Sequence, residues 1–570
     1  MNNFKIDISR IPFSRYGAYV SVTEDQGANT LTIHSVRRRC DEGPAYVLTF
    51  SASGKPVDIS VYANPDCVYV DCKEGDARIY IRDDKTVVVD TNKLDLEFTM
   101  ISKNGYGGEE GDRAFKMISV NQSIYYYFYA QQGVGRMEDL INGDAYSVHR
   151  KQRLLVTCEN NKCTVALKAS IDEPKQVLLP IDVDKEVQMC YQEWKVFCDK
   201  LPQHSEKYDN YEEITWYNLW SSFARAEDVY HYDTMLMSKK FMTSVWSWDH
   251  CFNALTMIKI SKKVALEQFC APFVLQAETG ALPDMWNPNS EIIWGVTKPP
   301  IHGWCFAKLM ELFEFSKDEL ETVYSYLEKW TNWWMEYRDS DHDGIPDYPQ
   351  GCDSGWDNAT IFDIGYFIES PDLPAFLVIQ MQTLSKIADK LKDDNTSIWQ
   401  KRSEKWSDEA DKLLERFYEH SWNGERFIAK QSRTHEFDKN PTCLLSVMPL
   451  VLGDQLDDEK RKKLVKILKD DFLTEHGLAT ENPKSPKYDP DGYWRGPIWA
   501  PTTYLLVDGI RRGGELELAE DLAKRFCNMA RGVAKGNYEN YDALTGEGLR
   551  APGYTWTASV YMLLSWEYDF

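Results

Sequence analysis

Two carboxylates four residues apart, Asp353 and Asp357, stand in the run Gly351, Cys352, Asp353, Ser354, Gly355, Trp356, Asp357, Asn358, Ala359, Thr360. A proton donor working near neutral pH needs a raised pKa, and an apolar ring that strips water from a carboxyl raises it. Trp356 adjoins Asp357, and a sugar ring also needs a flat apolar face to lie against. The run therefore reads as a glycosidase acid on an aromatic platform, against the plainer reading of a surface turn with one buried Trp.

Further runs of the same character follow along the chain. Trp246, Trp248, Asp249 and His250 combine stacking faces with a carboxylate that can accept two hydroxyls. Lys298, Pro299, Pro300, Ile301, His302, Gly303 and Trp304 place His302 near a helix start, since neither proline can continue a helix. Asp491 to Pro501 carries Trp494, Trp499 and Arg495, a fork-shaped donor suited to hydroxyls or to holding a carboxylate. Tyr538, Glu539, Asn540, Tyr541 and Asp542 set a carboxylate among aromatics, as a base activating water requires. Asp542 and Glu547 compete with Glu539 for that role, and Glu539 is preferred because Tyr538 and Tyr541 flank it. Asp339, Asp341, Asp343, Ile345 and Asp347 match the first part of a calcium loop, with Gly344 at the turn and Gln350 where an EF-hand has Glu. A structural calcium is expected there, against a solvated acidic turn.

The elements that must position these runs change character along the chain. All 19 Trp lie from Trp194 onward. Before that, Leu94, Leu96, Phe98 and Met100 alternate with polar residues, the period of a half-buried strand, and similar short runs suggest an antiparallel β-sandwich over 1–185. A linker helix is expected over 186–207. From 208 to 570 the period is helical: Leu320, Val323, Leu327, Trp330, Trp334 and Tyr337 line one face, with Ser316 and Glu319 as a capping box. Asp372 is expected to cap the next helix. Helix pairs joined by Trp-, Gly- and acid-rich loops predict a mainly α (α/α)6 barrel, with a helical solenoid as rival.

The net charge of -24 argues against a nucleic-acid backbone or an anionic membrane as partner and suits a small neutral carbohydrate. No run of 18 apolar residues spans a membrane, no secretory signal is visible, and 13 Cys in an odd count fit reduced thiols, so a cytoplasmic location is expected.

With these runs in order, residues 240–560 resemble glycoside hydrolase family 63 and its cytosolic bacterial relatives, including mannosylglycerate- and glucosylglycerate-hydrolase-like proteins, and more distantly the family 37 trehalases. The resemblance rests on Trp248 and Asp249, on Lys298 to Trp304, on Asp353 to Ala359, on Tyr493 to Trp499, and on Glu539 to Tyr541. It implies an (α/α)6 barrel, inversion at the anomeric carbon, Asp357 as general acid and Glu539 as general base. It also implies that Trp248, Asp249, Trp356, Trp494, Arg495, Trp499 and Trp556 line the sugar pocket, and some members carry calcium on such an acidic loop. The reading is an exo-acting inverting α-glycosidase, first of all an α-glucosidase needing no cofactor for its chemistry. A mannosylglycerate, glucosylglycerate or trehalase-like hydrolase is the alternative. A phosphorolytic barrel and a non-catalytic sugar-binding protein are the remaining rivals.

Overall fold

The computed structural model describes residues 5–25, 27–37, 43–102, 104–141, 151–172, 180–201, 210–392, 397–532 and 536–569. Contacts divide the chain into two compact units, Met1–Ser244 with Asn287–Glu291, and Val245–Trp286 with Ile292–Phe570.

The first unit is built on two antiparallel sheets, one of seven strands and one of eight. The strand Asp95–Met100 buries every second residue, as its alternation predicts. The sheets meet face to face through aromatic edges. Tyr46 of one lies 5.0 Å from Tyr126 and 5.3 Å from Phe128 of the other, and Phe98 lies 5.2 Å from Phe128. Helix α1 (Val183–Cys198) is capped by Asp182 and buries Val183 and Cys190 against Cys67 and against Tyr80 and Val88 of the eight-stranded sheet. It begins earlier than the linker expected at 186–207, whose residues 202–207 lie outside the described ones. In α2 (Asn210–Ser221), Tyr217 and Trp220 pack on Trp194 of α1, and the Tyr217 hydroxyl donates to Ser14 O at 2.8 Å. Aromatic packing thus keeps both helices with the sheets, and the units divide at 244/245 rather than near 208.

The second unit is helical. It contains α3 (Asp249–Met257), α4 (Lys262–Cys270), α5 (His302–Leu312), α6 (Lys317–Tyr337) and the single turn α7 (Gly351–Ser354). These are followed by α8 (Asp372–Lys390), α9 (Ser397–Ser421), α10 (Asp458–Ile467), α11 (Ala500–Arg512), α12 (Leu516–Gly532) and α13 (Thr555–Tyr568). A 3-10 stretch, Leu444–Gln455, precedes α10. Neighbours run α3, α5, α8, the 3-10 stretch, α11, α13 and back to α3, while α4, α6, α9, α10 and α12 pack beside members of that ring. Every residue of α3 is buried, as are the first eleven of α11 and of α13, whereas α6 and α12 keep an exposed face. A helix buried all round lies inside; an amphipathic one covers it.

The capping box of Ser316 and Glu319 is present at α6, and Leu320, Val323, Leu327, Trp330 and Trp334 are buried as the periodicity predicts, although Tyr337 is exposed. Asp372 is the first residue of α8 rather than its cap; its carboxylate accepts from Tyr348 Oη at 2.9 Å and from Ser370 Oγ. Among the described residues no helix is long and apolar enough to cross a membrane.

Candidate functional site

The site lies within the helical unit, on the loops that precede α3, α11 and α13 and on the segment after α7. The α7 turn ends at Gly355, where φ is +75° and a Cβ would stand 2.8 Å from the Trp248 ring, so both conformation and space require glycine. Asn358 then stitches this segment to the loop before α11. Its side chain donates to Gly492 O and accepts from Trp494 N, each at 3.0 Å. Arg495 donates to Asn358 O at 2.8 Å and pairs with Asp363 at 2.6 Å. Of the two roles open to Arg495 in the sequence, the structure shows it holding a carboxylate and the backbone beside Asp357.

Glu539 is 6% exposed, and burial pushes its carboxyl up to about 7. The Tyr493 hydroxyl donates to its Oε1 at 3.3 Å, and Tyr493 and Tyr554 both favour its charged form. Asp357 is half-buried; desolvation raises its pKa, opposed first by the Lys298 ammonium 3.9 Å away. Lys298 also pairs with Asp284 at 3.0 Å and donates to Cys352 O at 2.8 Å. Asp357 is close enough for its charge to raise Glu539 further. Asp249 is 3% exposed, among the described residues neither of its oxygens has a hydrogen-bond partner, and burial raises its pKa strongly. A buried carboxylate without partners is costly to hold, and two hydroxyls of a ligand would satisfy it.

Five of the expected aromatics come together. Trp494 is sandwiched, with Trp499 stacked on it at 3.8 Å and Trp356 at 4.7 Å. Trp248 meets Trp556 edge-on at 5.9 Å and Trp494 at 6.3 Å, and Trp499 meets Trp556 at 5.4 Å. With both faces covered, Trp494 backs Trp356 and offers no face of its own to a sugar.

Other expected residues are placed apart from this cluster. His302 is buried among Phe269, Phe273 and Trp330, and burial lowers its pKa to about 3, so it is neutral; its Nε2 lies 3.3 Å from Ser247 O. Trp304 donates to Asp508 at 2.9 Å and packs against Phe252 and Tyr504. The Tyr541 hydroxyl accepts from Tyr538 N at 3.2 Å, and its backbone pairs with Ile498. Asp542 caps the turn at Leu544 and Thr545, and Glu547 is exposed. Sequence reasoning gave no role to Tyr493, Tyr554, Lys298 or Asp284. Tyr493 and Lys298 stand inside quoted runs, but no local spacing shows which side chains turn toward a carboxylate.

In the acidic loop, Asp339, Asp341 and Asp343 bring carboxylate oxygens within 4.8 Å of one another. Asp339 accepts from Gly344 N at 3.0 Å and Asp343 from Ile345 N at 2.8 Å. Asp347 is fully buried, pushed up to about 6, and accepts from Ser340 N at 3.1 Å. Asp341 and Asp343 turn their remaining oxygens toward imidazole nitrogens of His435 and His420, at 3.2 and 3.3 Å.

The sequence profile described as "Mannosylglycerate hydrolase MGH1-like glycoside hydrolase domain" matches residues 242–557. The mannosylglycerate hydrolase of Rubrobacter radiotolerans is 22% identical over 403 residues, 55% of this chain and 89% of that protein. The glucosylglycerate hydrolase of Mycolicibacterium hassiacum is 21% identical over 412 residues, 56% of this chain and 91% of that protein. Matches to three further mannosylglycerate hydrolases are local, spanning 20%, 18% and 18% of those proteins' length. The solved GH63 mannosylglycerate hydrolase from Thermus thermophilus, in complex with Tris, has a TM-score of 0.50 and 18% identity, covering 62% of this chain and 98% of that one. That likeness is one of fold alone.

Proposed function

The chain belongs to the mannosylglycerate hydrolase MGH1-like glycoside hydrolase family, and from that premise we propose that it hydrolyses a small α-glycoside of glyceric acid, mannosylglycerate or glucosylglycerate. The motif order in the sequence had pointed to this same family. The wider expectation of a general α-glucosidase gives way to this narrower class, which is supported by the names of the two relatives matched over most of their length. The closed order of helix neighbours supports an (α/α)6 barrel for the second unit.

The observation that carries the reading is a pair of desolvated carboxyls, Asp357 and Glu539, sharing one phenol beside an unpartnered Asp249. Asp357 protonates the leaving oxygen, Glu539 deprotonates a water on the opposite ring face, and Asp249 takes sugar hydroxyls. Inversion requires about 6.5–9.5 Å between the two carboxyls, room for that water. Glu539 has the strongly raised pKa of the two, so pKa order does not assign the roles. Their assignment follows the family positions. Lys298 holds Asp284 and biases Asp357 electrostatically.

The experiment is a panel of mannosylglycerate, glucosylglycerate, trehalose and other α-disaccharides, with product anomers followed by NMR. Release of glycerate together with a β-configured sugar is expected. Equal or better turnover of the neutral disaccharides would return the reading to a general α-glucosidase, and binding without turnover of any glycoside would make it a sugar-binding protein.

A further inference from the structure

We propose that Cys158 and Cys163 form an oxidisable dithiol pair, a modification site that exchanges with a small-molecule disulfide and closes into an intrachain cystine. Both lie in the first unit, whereas the candidate site lies in the second. Their thiols are free, and their sulfurs stand 3.4 Å apart.

The local backbone explains why they meet. Asn160 and Asn161 have φ of 54° and 63°, the left-handed pair that a two-residue type I′ turn demands. Glu159 and Lys162 exchange both backbone hydrogen bonds, at 3.0 and 3.2 Å. In an antiparallel ladder the residues one step further out face each other with no backbone bonds between them, the register in which side chains stand closest. Cys158 and Cys163 occupy that step. A cystine holds its sulfurs about 2 Å apart, so the remaining gap is one that side-chain rotation can close.

The two thiols are not equivalent. Cys158 is half-buried and Cys163 fully buried. Burial pushes both thiols up. The Cys163 thiol donates to Cys158 Sγ, which favours the thiolate of Cys158 over that of Cys163. Exposure and hydrogen bonding thus agree on Cys158 as the attacking sulfur. Cys251 of α3 and Cys305 of α5 also adjoin, but both are fully buried, where an external disulfide does not reach.

The exchange balances in two steps. The Cys158 thiolate, its proton lost to solvent, attacks one sulfur of the external disulfide and expels the other, which takes up a proton. Cys163 then gives up its proton, attacks Cys158 Sγ and expels the second thiol. The protein pair loses two electrons, and the external disulfide is reduced to two thiols. The strand Lys151–Thr157 belongs to the seven-stranded sheet and Lys162–Ser170 to the eight-stranded one. The new bond would therefore staple the two sheets at the corner where the chain crosses between them.

Asp95 brings a carboxylate oxygen within 4.8 Å of both sulfurs, so a thiolate-seeking cation such as zinc is the competing occupant. Three ligands fall one short of a closed structural zinc site, and Asp95 Oδ1 already accepts from Cys158 N at 2.7 Å.

The test uses the full chain, reduced, freed of reductant, treated with glutathione disulfide, then alkylated and digested for mass spectrometry. A Cys158–Cys163 linkage is expected, with two fewer alkylated thiols per chain and a rise in Tm that dithiothreitol reverses. Cys163→Ala should stop at the mixed disulfide on Cys158, and Cys158→Ala should slow modification of Cys163 by at least about 10-fold. The wild-type measurement stands whether or not either variant folds. Both thiols alkylated in treated wild type, a mixed disulfide that persists on its Cys158, or a bound zinc that protects both sulfurs would each overturn the proposal. An unchanged Tm in the linked protein would overturn the staple.

Discussion

The Tyr493 hydroxyl donates to Glu539 Oε1 across 3.3 Å and also favours the charged form of Asp357, so one phenol couples two carboxyls that come from different loops. Removing it with Tyr493→Phe takes away a group that lowers the Glu539 pKa, so that pKa must rise above its present value of about 7. The limb of the pH–kcat/KM profile near 7 should move to higher pH in the variant. An unmoved limb would mean that Tyr493 does not contact Glu539 in the working enzyme.

Glu539 also links pH to stability. Its folded pKa of about 7 lies above the ordinary carboxyl value, so the stability it contributes is complete below pH 4 to 5 and is lost as pH rises through 7. Glu539→Gln should therefore gain stability relative to wild type as pH goes from 5 to 8, by about 3 kcal/mol at most. Denaturant titrations at the two pH values measure this; a constant difference would contradict the buried carboxyl.

Asp249 trades stability for binding. Its carboxylate is buried with both oxygens unpartnered among the described residues, so Asp249→Asn should raise Tm in the absence of sugar. The same change removes charge-assisted hydrogen bonds to hydroxyls, worth about 1.5–3 kcal/mol each, and should lower kcat/KM by roughly 10- to 100-fold. A lower Tm with unchanged kinetics would make Asp249 a structural residue.

The two roles at the reaction centre separate by leaving group. Asp357→Asn should cut kcat by about 10²–10⁴ on a natural glycoside but far less on a glycosyl fluoride, which needs less protonation. Glu539→Ala should lose both activities, and azide entering the vacated space should give the β-glycosyl azide from an α-substrate. An α-azide would indicate a retaining route, and equal losses on both substrates in Asp357→Asn would move the acid elsewhere.

Trp494, with a ring on each face, should behave as core rather than as a sugar platform. Trp494→Ala is expected to cost about 3–5 kcal/mol of stability. Trp494→Phe should lower Tm while leaving KM within about twofold, because the smaller ring leaves a cavity in the stack but removes no face that meets the substrate. A large rise in KM at unchanged Tm would instead place that ring against the substrate.

What the sequence determined by itself is whatever a few neighbouring residues decide. The alternation of Asp95–Met100, the capping box of α6 and the apolar face of α6 follow from the local pattern of a few neighbouring residues. Glu539 is buried and Glu547 exposed, in the order the sequence preferred them, but the phenols that meet Glu539 are Tyr493 and Tyr554 rather than the flanking Tyr538 and Tyr541. Only the tertiary structure decided which long-range partners each group meets. Tyr493 reaches Glu539, Lys298 reaches Asp284 and Asp357, and His420 and His435 reach an acidic loop far back along the chain. Aromatic rings that looked equivalent also part company: Trp356 and Trp494 stack at the site while Trp304 turns to Asp508. The physical reason is that local patterning sets which face of an element is apolar, whereas the meeting of loops depends on how the helices close into a ring, and no spacing within one loop encodes that closure.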